Sequence, residues 1–305
     1  MKTAGIVGMG TISKYYLNGL NSSHYLKLRA ICDINKSFLS KSLFESYPFY
    51  EDYREMIEKE NLDYLIISTP PKTHYEIAYY ALKHGVNVIV EKPGVLDIDQ
   101  YVELMNYAKQ HNLIFEVSYH WQNGSEVIGF NKLYDKDKIS EISIHVDDPY
   151  SDDGKSINQD KIKLEGAFID SGVNALSLIK MWLPFNKYQI EKVDIIRCLK
   201  TKLPIYVNAK LLIDNVKVYI EVDWRNKLNN KESYVIYDGR RIDIKHSLQT
   251  IIDGNNVYKF DEMERLKAHY YNYFKNYNGI IKSEDSLKIH KVLLGVVKYY
   301  EENIC

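Results

Sequence analysis

The chain is poor in cysteine: Cys32, Cys198 and Cys305 are the three in 305 residues. Their odd number and wide spacing exclude a disulfide framework and any CxxC zinc or redox motif, so free thiols are expected. Long hydrophobic runs are also missing. The wholly apolar stretches are a handful of residues, far short of the ~18 that span a bilayer. Nor is there an excess of charge of either sign, since 40 Lys+Arg face 41 Asp+Glu. That balance gives no electrostatic footprint for nucleic acid or a membrane surface, and neither is expected as a partner. No basic leader with an apolar segment precedes the first strand, the pattern expected of a cytoplasmic protein. No metal site is expected.

What the chain does contain is a dense unit at residues 63–93, DYLIISTPPKTHYEIAYYALKHGVNVIVEKP. Tyr64 to Ser68 and Val86 to Val90 are short, β-branched apolar runs of the kind buried in parallel sheets, with a helical pattern between them. One βαβ crossover results. Thr73 and Glu76 have capping-box spacing at the helix start, and Gly85 stands where a left-handed C-cap belongs. Both strands end in polar residues, Ser68-Thr69-Pro70-Pro71 and Glu91-Lys92-Pro93, and ligands bind at the carboxyl ends of strands in open α/β sheets. Lys92 at such an end is a candidate for chemistry; the ordinary reading is a surface lysine at a turn.

The start of the chain repeats the logic. Thr3 to Val7 reads as a strand, followed by Gly8-Met9-Gly10-Thr11-Ile12-Ser13 and a helix to Leu20 with Ile12, Tyr16 and Leu20 on one side. Gly8 permits the tight turn, Gly10 lets a pyrophosphate approach the backbone, and the helix N-terminus at Thr11 and Ile12 supplies N–H donors. Ser13 takes the place of the third glycine, where helix packs on strand. The next strand, Leu26 to Cys32, ends in Asp33, placed to accept hydrogen bonds from ribose hydroxyls. An acid there repels a 2′-phosphate, which favours NAD over NADP; Lys36 and Ser37 soften that preference, so NADP stays open. A helix over Tyr50 to Glu60, another capped by Asp97 and Gln100 to about Gln110, and a strand over Leu113 to Ser118 complete an alternation that implies a doubly wound parallel sheet.

From Ile139 on, strands dominate: Glu141 to Val146, Ile190 to Leu199, Ile205 to Ile213, Val216 to Trp224 and Ser233 to Tyr237. Asp214-Asn215 and Asp238-Gly239 are hairpin turns, so an antiparallel sheet is expected. Helices are expected over Phe168 to Trp182, Asp261 to Tyr277 and Ser283 to Glu302, and Gly154 to Asp160 reads as a loop. Two domains follow, 1–120 with a Rossmann fold and 121–305 with an open, mainly antiparallel sheet: α/β plus α+β.

The strings AGIVGMGTIS, CDIN and FYEDYREMIEKENLDYLIISTPPKTHYEIAYYALKHGVNVIVEKP resemble the Gfo/Idh/MocA family of nicotinamide enzymes, the glucose-fructose oxidoreductases and inositol dehydrogenases, in order over the first 120 residues. The resemblance implies that Lys92 is catalytic beside the nicotinamide and the substrate hydroxyl. It also implies a cofactor site of Gly8, Gly10, Thr11, Ile12, Asp33, Ser68, Thr69, Pro70, His74, Glu91 and Lys92. The family's second signature, an Asp, a Gly and a His followed by another Asp, stands here as Asp170-Ser171-Gly172-Val173-Asn174-Ala175-Leu176-Ser177. Asn174 replaces the usual His and Ser177 the second Asp. This DxGxNALS pattern, with Asp223-Trp224-Arg225 and Asp147-Asp148, is similar to the L-arabinose and D-galactose 1-dehydrogenase branch. That implies Lys92, Asp170 and Asn174 as catalytic residues, and His120, Asp147, Asp170, Asn174 and Trp224 as substrate contacts. The branch's Trp-His-Pro-Gly loop is replaced by Tyr150 to Asp160.

Independently of the resemblance, Asp170 and Asn174 are four apart and share a helical face; their ordinary readings are an N-cap and a solvated amide. A lone His120 is ordinarily structural and Trp224 ordinarily core. The expected activity is NAD(P)-dependent oxidation of an aldose at C1 to a lactone, in a cleft between the domains. The alternatives are a dehydrogenase of an inositol or modified-sugar secondary alcohol, or a sugar- and NAD-sensing regulator without chemistry. The resemblance implies a homodimer or homotetramer through the C-terminal sheet.

Overall fold

Residues 1–36, 41–280 and 283–303 are described by the structure, a computed structural model. Ser37 and Cys305 lie outside the described residues. The chain divides into two compact units, the first of residues 1–119 with 270–287, the second of 120–269 with 288–305.

The first unit alternates β1 (Lys2–Val7), α1 (Ser13–Leu20), β2 (Leu26–Cys32), α2 (Lys41–Ser46), β3 (Phe49–Tyr50), α3 (Tyr53–Lys59), β4 (Tyr64–Ile67), α4 (His74–Lys83), β5 (Asn87–Glu91), α5 (Ile98–Gln110) and β6 (Phe115–Ser118). All strand pairs are parallel, in the order β3-β2-β1-β4-β5-β6. Tyr64 to Ile67 are buried throughout, as a strand covered on both faces requires. The order reverses direction between β1 and β4, and at that switch point the crevice for a ligand opens at the strand ends. Asp97 caps α5 as expected, accepting from the Asp99 and Gln100 amides at 2.9 Å each. The capping box at Thr73 and Glu76 does not form. Pro70-Pro71 start a 3-10 turn ahead of α4, the Thr73 hydroxyl donates to the Pro70 carbonyl at 2.8 Å, and Glu76 pairs with Tyr53 and Arg54 instead. The strand β3 and helix α2 are too short to have signalled themselves in the pattern. Tyr270, Tyr273, Phe274 and Tyr277 pack with Tyr16, Leu20, Leu26 and Tyr64 in the core of this unit.

The second unit contains α6 (Ser125–Leu133), β7 (Ile139–Asp147), a two-stranded ribbon β8 (Ser151–Asp152) and β9 (Ser156–Ile157), α7 (Val173–Lys180), β10 (Tyr188–Arg197), β11 (Pro204–Ile213), β12 (Val216–Asp223), β13 (Lys231–Tyr237), β14 (Arg240–Lys245), β15 (Thr250–Asp253) and β16 (Asn256–Lys259). Helices α8 (Arg265–Asn276) and α9 (Ser283–Glu302) close the chain. The large sheet has the order β10-β11-β12-β7-β13-β14-β15-β16. It is antiparallel except for β12 beside β7, which run parallel. A hairpin pattern cannot reveal that pair, because the two strands are far apart in the chain. Asp214-Asn215 and Asp238-Gly239 are left-handed at both turn positions, as the hairpins required. Val207, Ala209, Leu211, Val218, Ile220, Ile142 and Ile144 line the buried face, while the alternate residues are half-buried or exposed.

Candidate active site

In the first unit the glycine turn is fixed by its neighbours. Gly8 has φ +92°, and a Cβ there would lie 2.7 Å from the backbone of Ser68 and Thr69. The Gly8 amide donates to the Cys32 carbonyl and its carbonyl accepts from Ser68 Oγ at 2.7 Å, so the ends of β1, β2 and β4 are laced together. Gly10 is different: a Cβ there would meet nothing within 4 Å. Helix α1 begins at Ser13 with no side-chain cap, and Ser13, buried, bonds back to the Gly10 carbonyl. An open approach at Gly10, N–H groups at Thr11 and Ile12 with no side-chain cap among the described residues, and the dipole of α1 are what a pyrophosphate needs. Asp33 accepts from the Met9 amide at 2.6 Å and the Asn35 amide at 2.8 Å. Its carboxylate thus tethers the glycine turn and retains lone pairs for a ribose.

Lys92, half-buried, follows β5 directly and precedes a cis-Pro93. Two expected cofactor residues turn out to serve the lysine's surroundings. Glu91 points into the core, where its Oε2 accepts from Tyr16 at 2.7 Å and Tyr270 at 2.9 Å. His74 is fully buried, with Nδ1 2.9 Å from the Gly94 carbonyl and Nε2 2.7 Å from that of Thr69. Burial lowers its pKa to about 4, with Lys92 pushing the same way against the two carbonyls. The imidazole is therefore neutral and, with one N–H, donates to one carbonyl at a time. Glu91 is turned inward at the end of β5, and His74 braces the loops after β4 and β5.

In the second unit the expected helix begins as a π-turn, Phe168–Gly172, before α7. Gly172 is needed there because a Cβ would lie 2.5 Å from the Phe168 ring. Extra-wide turns of this kind recur at functional sites. Asn174 Nδ2 donates to the Asp170 carbonyl at 3.3 Å, and its Oδ1 is buried without a partner among the described residues. Ser177 donates to the Asn174 carbonyl and is spent within its own helix. The acid that joins this helix is Asp148, not Asp147: Ser171 Oγ donates to Asp148 Oδ2 at 2.7 Å, and Lys231 Nζ lies 2.7 Å from Oδ1. Asp147, one residue earlier, faces the other side of β7, with His145 Nε2 2.9 Å from its carboxylate. Burial lowers the Lys231 pKa, opposed by Asp148. Trp224 is enclosed, its indole donating to Ser171 Oγ at 3.4 Å and its ring edge-on to Tyr150 at 5.4 Å. It has no open face for a sugar ring and supports the Asp148–Ser171 cluster instead. His120 is buried, with Nδ1 3.1 Å from Nδ1 of His269, whose pKa burial pulls well down.

Residues 2–119 match the Gfo/Idh/MocA oxidoreductase family, NAD-binding Rossmann fold. That match spans the six-stranded parallel sheet of the first unit, which carries the NAD-binding Rossmann fold. Its sequence is 28% identical over 136 residues to the inositol 2-dehydrogenase/D-chiro-inositol 3-dehydrogenase of Lactiplantibacillus plantarum, a match covering 43% of this chain and 39% of that protein. The chain thus matches less than half the length of this curated relative. Across both units the fold recurs in the myo-inositol 2-dehydrogenase of Lactobacillus plantarum, with TM-score 0.80 and 20% identity over 99% of this chain and 97% of that one. It recurs also in the scyllo-inositol dehydrogenase of Lactobacillus casei with bound NAD(H) and scyllo-inositol, with TM-score 0.78 and 20% identity over 99% and 98%. Outside the NAD-binding domain, sequence reasoning missed Lys231, His269 and Arg265, which sit on separate elements with no shared spacing. Among the described residues no cluster of His, Cys, Asp or Glu could hold a metal, no helix is long and apolar enough to cross a membrane, and Cys32 and Cys198 are free thiols.

Proposed function

We propose that the protein is an NAD-dependent dehydrogenase that oxidises an aldopyranose at C1, giving a lactone. The observation that carries this reading is the Oδ1 of Asn174 beside Asp170, buried and without a partner among the described residues. A buried acceptor without a donor costs on the order of 1–3 kcal/mol, which an incoming hydroxyl relieves. Bound NAD supplies the hydride acceptor. Asn174 accepts from a substrate hydroxyl and orients it; Lys92, in its neutral form, takes the proton of the C1 hydroxyl; Asp170 holds the sugar and assists proton release. With an amide at 174 there is no imidazole to share the proton, so the lysine carries that work.

The second reading, oxidation of a secondary alcohol on a cyclitol, is favoured by the inositol dehydrogenase name of the relative matched in the NAD-binding domain. A panel of aldoses and inositols assayed for NADH at 340 nm, with products identified by NMR, separates the two. A lactone or aldonate supports C1 oxidation. A keto sugar or inosose moves the protein to the second reading, and absence of NADH with every substrate favours a sensor.

A further inference from the structure

Arg265 opens α8, and its Nη1 is buried with no acceptor among the described residues. Its guanidinium sits over the buried Trp121 indole, 5.6 Å from the ring centroid. Three carboxylates, those of Glu126, Asp148 and Glu264, act on it through space, yet none makes an ion pair with it among the described residues. Each has at least one oxygen engaged elsewhere, and of the three only Glu126 keeps a buried oxygen, Oε2, with no donor among the described residues. Asp148 is held by Lys231 and Ser171, Glu126 Oε1 lies 2.8 Å from His246 Nδ1, and Glu264 accepts from the Leu266 and Lys267 amides at 3.0 and 3.1 Å. Arginine stays protonated, so a buried guanidinium nitrogen has no route to neutrality, and an Nη1 without an acceptor can take one from a ligand. Its planar fork matches two oxygens of one carboxylate.

We propose that Arg265 is the reader of a substrate carboxylate, so that the sugar oxidised is a sugar acid such as a hexuronate rather than a neutral hexose. This rests on the dehydrogenase reading above, and it adds the substrate class. The Trp121 indole, 5.6 Å from the guanidinium, makes a cation–π contact that holds it in place. The competing local partner is Glu126, whose Oε2 is also buried, with no donor among the described residues.

The test is binding, measured by isothermal titration of the NADH-loaded protein with D-galacturonate, D-galactose and D-galacturonamide. The expected result is that galacturonate binds at least ten-fold tighter than either neutral analogue, and that Arg265→Gln and Arg265→Lys each erase the difference. Equal affinities, or no detectable binding of galacturonate at millimolar concentration, overturn the proposal and leave Arg265 as a structural partner of Glu126. A preference that survives both substitutions overturns the assignment to Arg265. If the variants do not fold, the wild-type comparison of acid against amide decides alone. Tight galacturonate binding with no NADH formed from NAD would sink the dehydrogenase reading while the carboxylate subsite stood.

Discussion

Three side chains on or near the loops that follow the strands act through different physics, and each gives its own experiment. Lys92 is proposed to move a proton, and a positioned base contributes roughly 10²–10⁴-fold to rate, so Lys92→Ala should lower kcat by about that factor. The dissociation constant for NAD should change little, because the glycine turn and Asp33 make the dinucleotide site; normal turnover in a folded variant would remove the lysine from the chemistry. Asp33 is charge and tether at once. Asp33→Ser should narrow the ratio of kcat/KM for NAD over NADP, and a wild-type protein favouring NADP ten-fold would deny Asp33 the ribose. His74 makes a stability argument. Its folded pKa is depressed to about 4 against ~6.5 unfolded, so between those values the unfolded chain binds a proton that the native state refuses. Its stabilising contribution is complete above about pH 6.5 and shrinks as the pH falls toward 4, by up to roughly 1.4 kcal/mol per pH unit. Urea midpoints of wild type and His74→Gln should therefore converge from pH 7 to pH 5; a constant gap would show that His74 titrates normally.

At the scale of elements, the two glycines of the first turn should separate folding from binding. Gly8 combines a left-handed φ with a backbone 2.7 Å from any added Cβ, so Gly8→Ala should destabilise the protein without cofactor by roughly 2 kcal/mol or more. Gly10→Ala meets no protein atom, and should leave the thermal midpoint of the apoprotein in place while weakening NAD binding; the reverse pattern would mean that Gly10, not Gly8, is the packing residue. This turn was legible in the sequence because strand, glycines, helix and Asp33 are local and obey fixed offsets. The same holds for the Asp97 cap, for the two left-handed hairpin turns and for Gly85, whose φ is +77°. The misreadings share a cause. Thr73 and Glu76 had capping-box spacing, but Pro70 offered a nearer acceptor for Thr73 and Arg54 on a neighbouring helix took Glu76. Asp147 and Asp148 differ by one residue, and which of them faces the Ser171 cluster depends on where β7 ends, a matter of tertiary register. His74 and Glu91 entered the expected cofactor site through the family resemblance, and the partners they have in the structure, Gly94 and Tyr270, lie at sequence separations of 20 and 179 that no local pattern reports.

For the whole molecule, the large sheet raises a question of assembly. Its buried face carries Val207, Leu211, Val218, Ile220, Ile142 and Val235, whereas the alternate positions present Tyr206, Leu212, Tyr219, Tyr234 and Ile236 as half-buried side chains among Lys, Glu and Arg. Arg241 stacks on Tyr234 at 4.0 Å and Arg225 on Tyr206 at 4.7 Å, so the tyrosines are held in place by cations rather than by a covering layer. Tyrosine and arginine together are the residues enriched where protein surfaces meet, and a two-fold axis lets one such patch meet itself. We propose that this face pairs two copies of the chain, which is where the resemblance to a family of sheet-paired enzymes also pointed. Light scattering on a sizing column should then give about twice the mass of the 35.8 kDa chain, or four times if two pairs associate. Tyr219→Glu, which sets an acid directly beside Glu221 on the same strand face, should shift the protein to monomer without lowering its helix content by circular dichroism. A wild-type protein that runs as a monomer at micromolar concentration would leave the face to solvent, and the half-buried tyrosines would then owe their order to their own arginines alone.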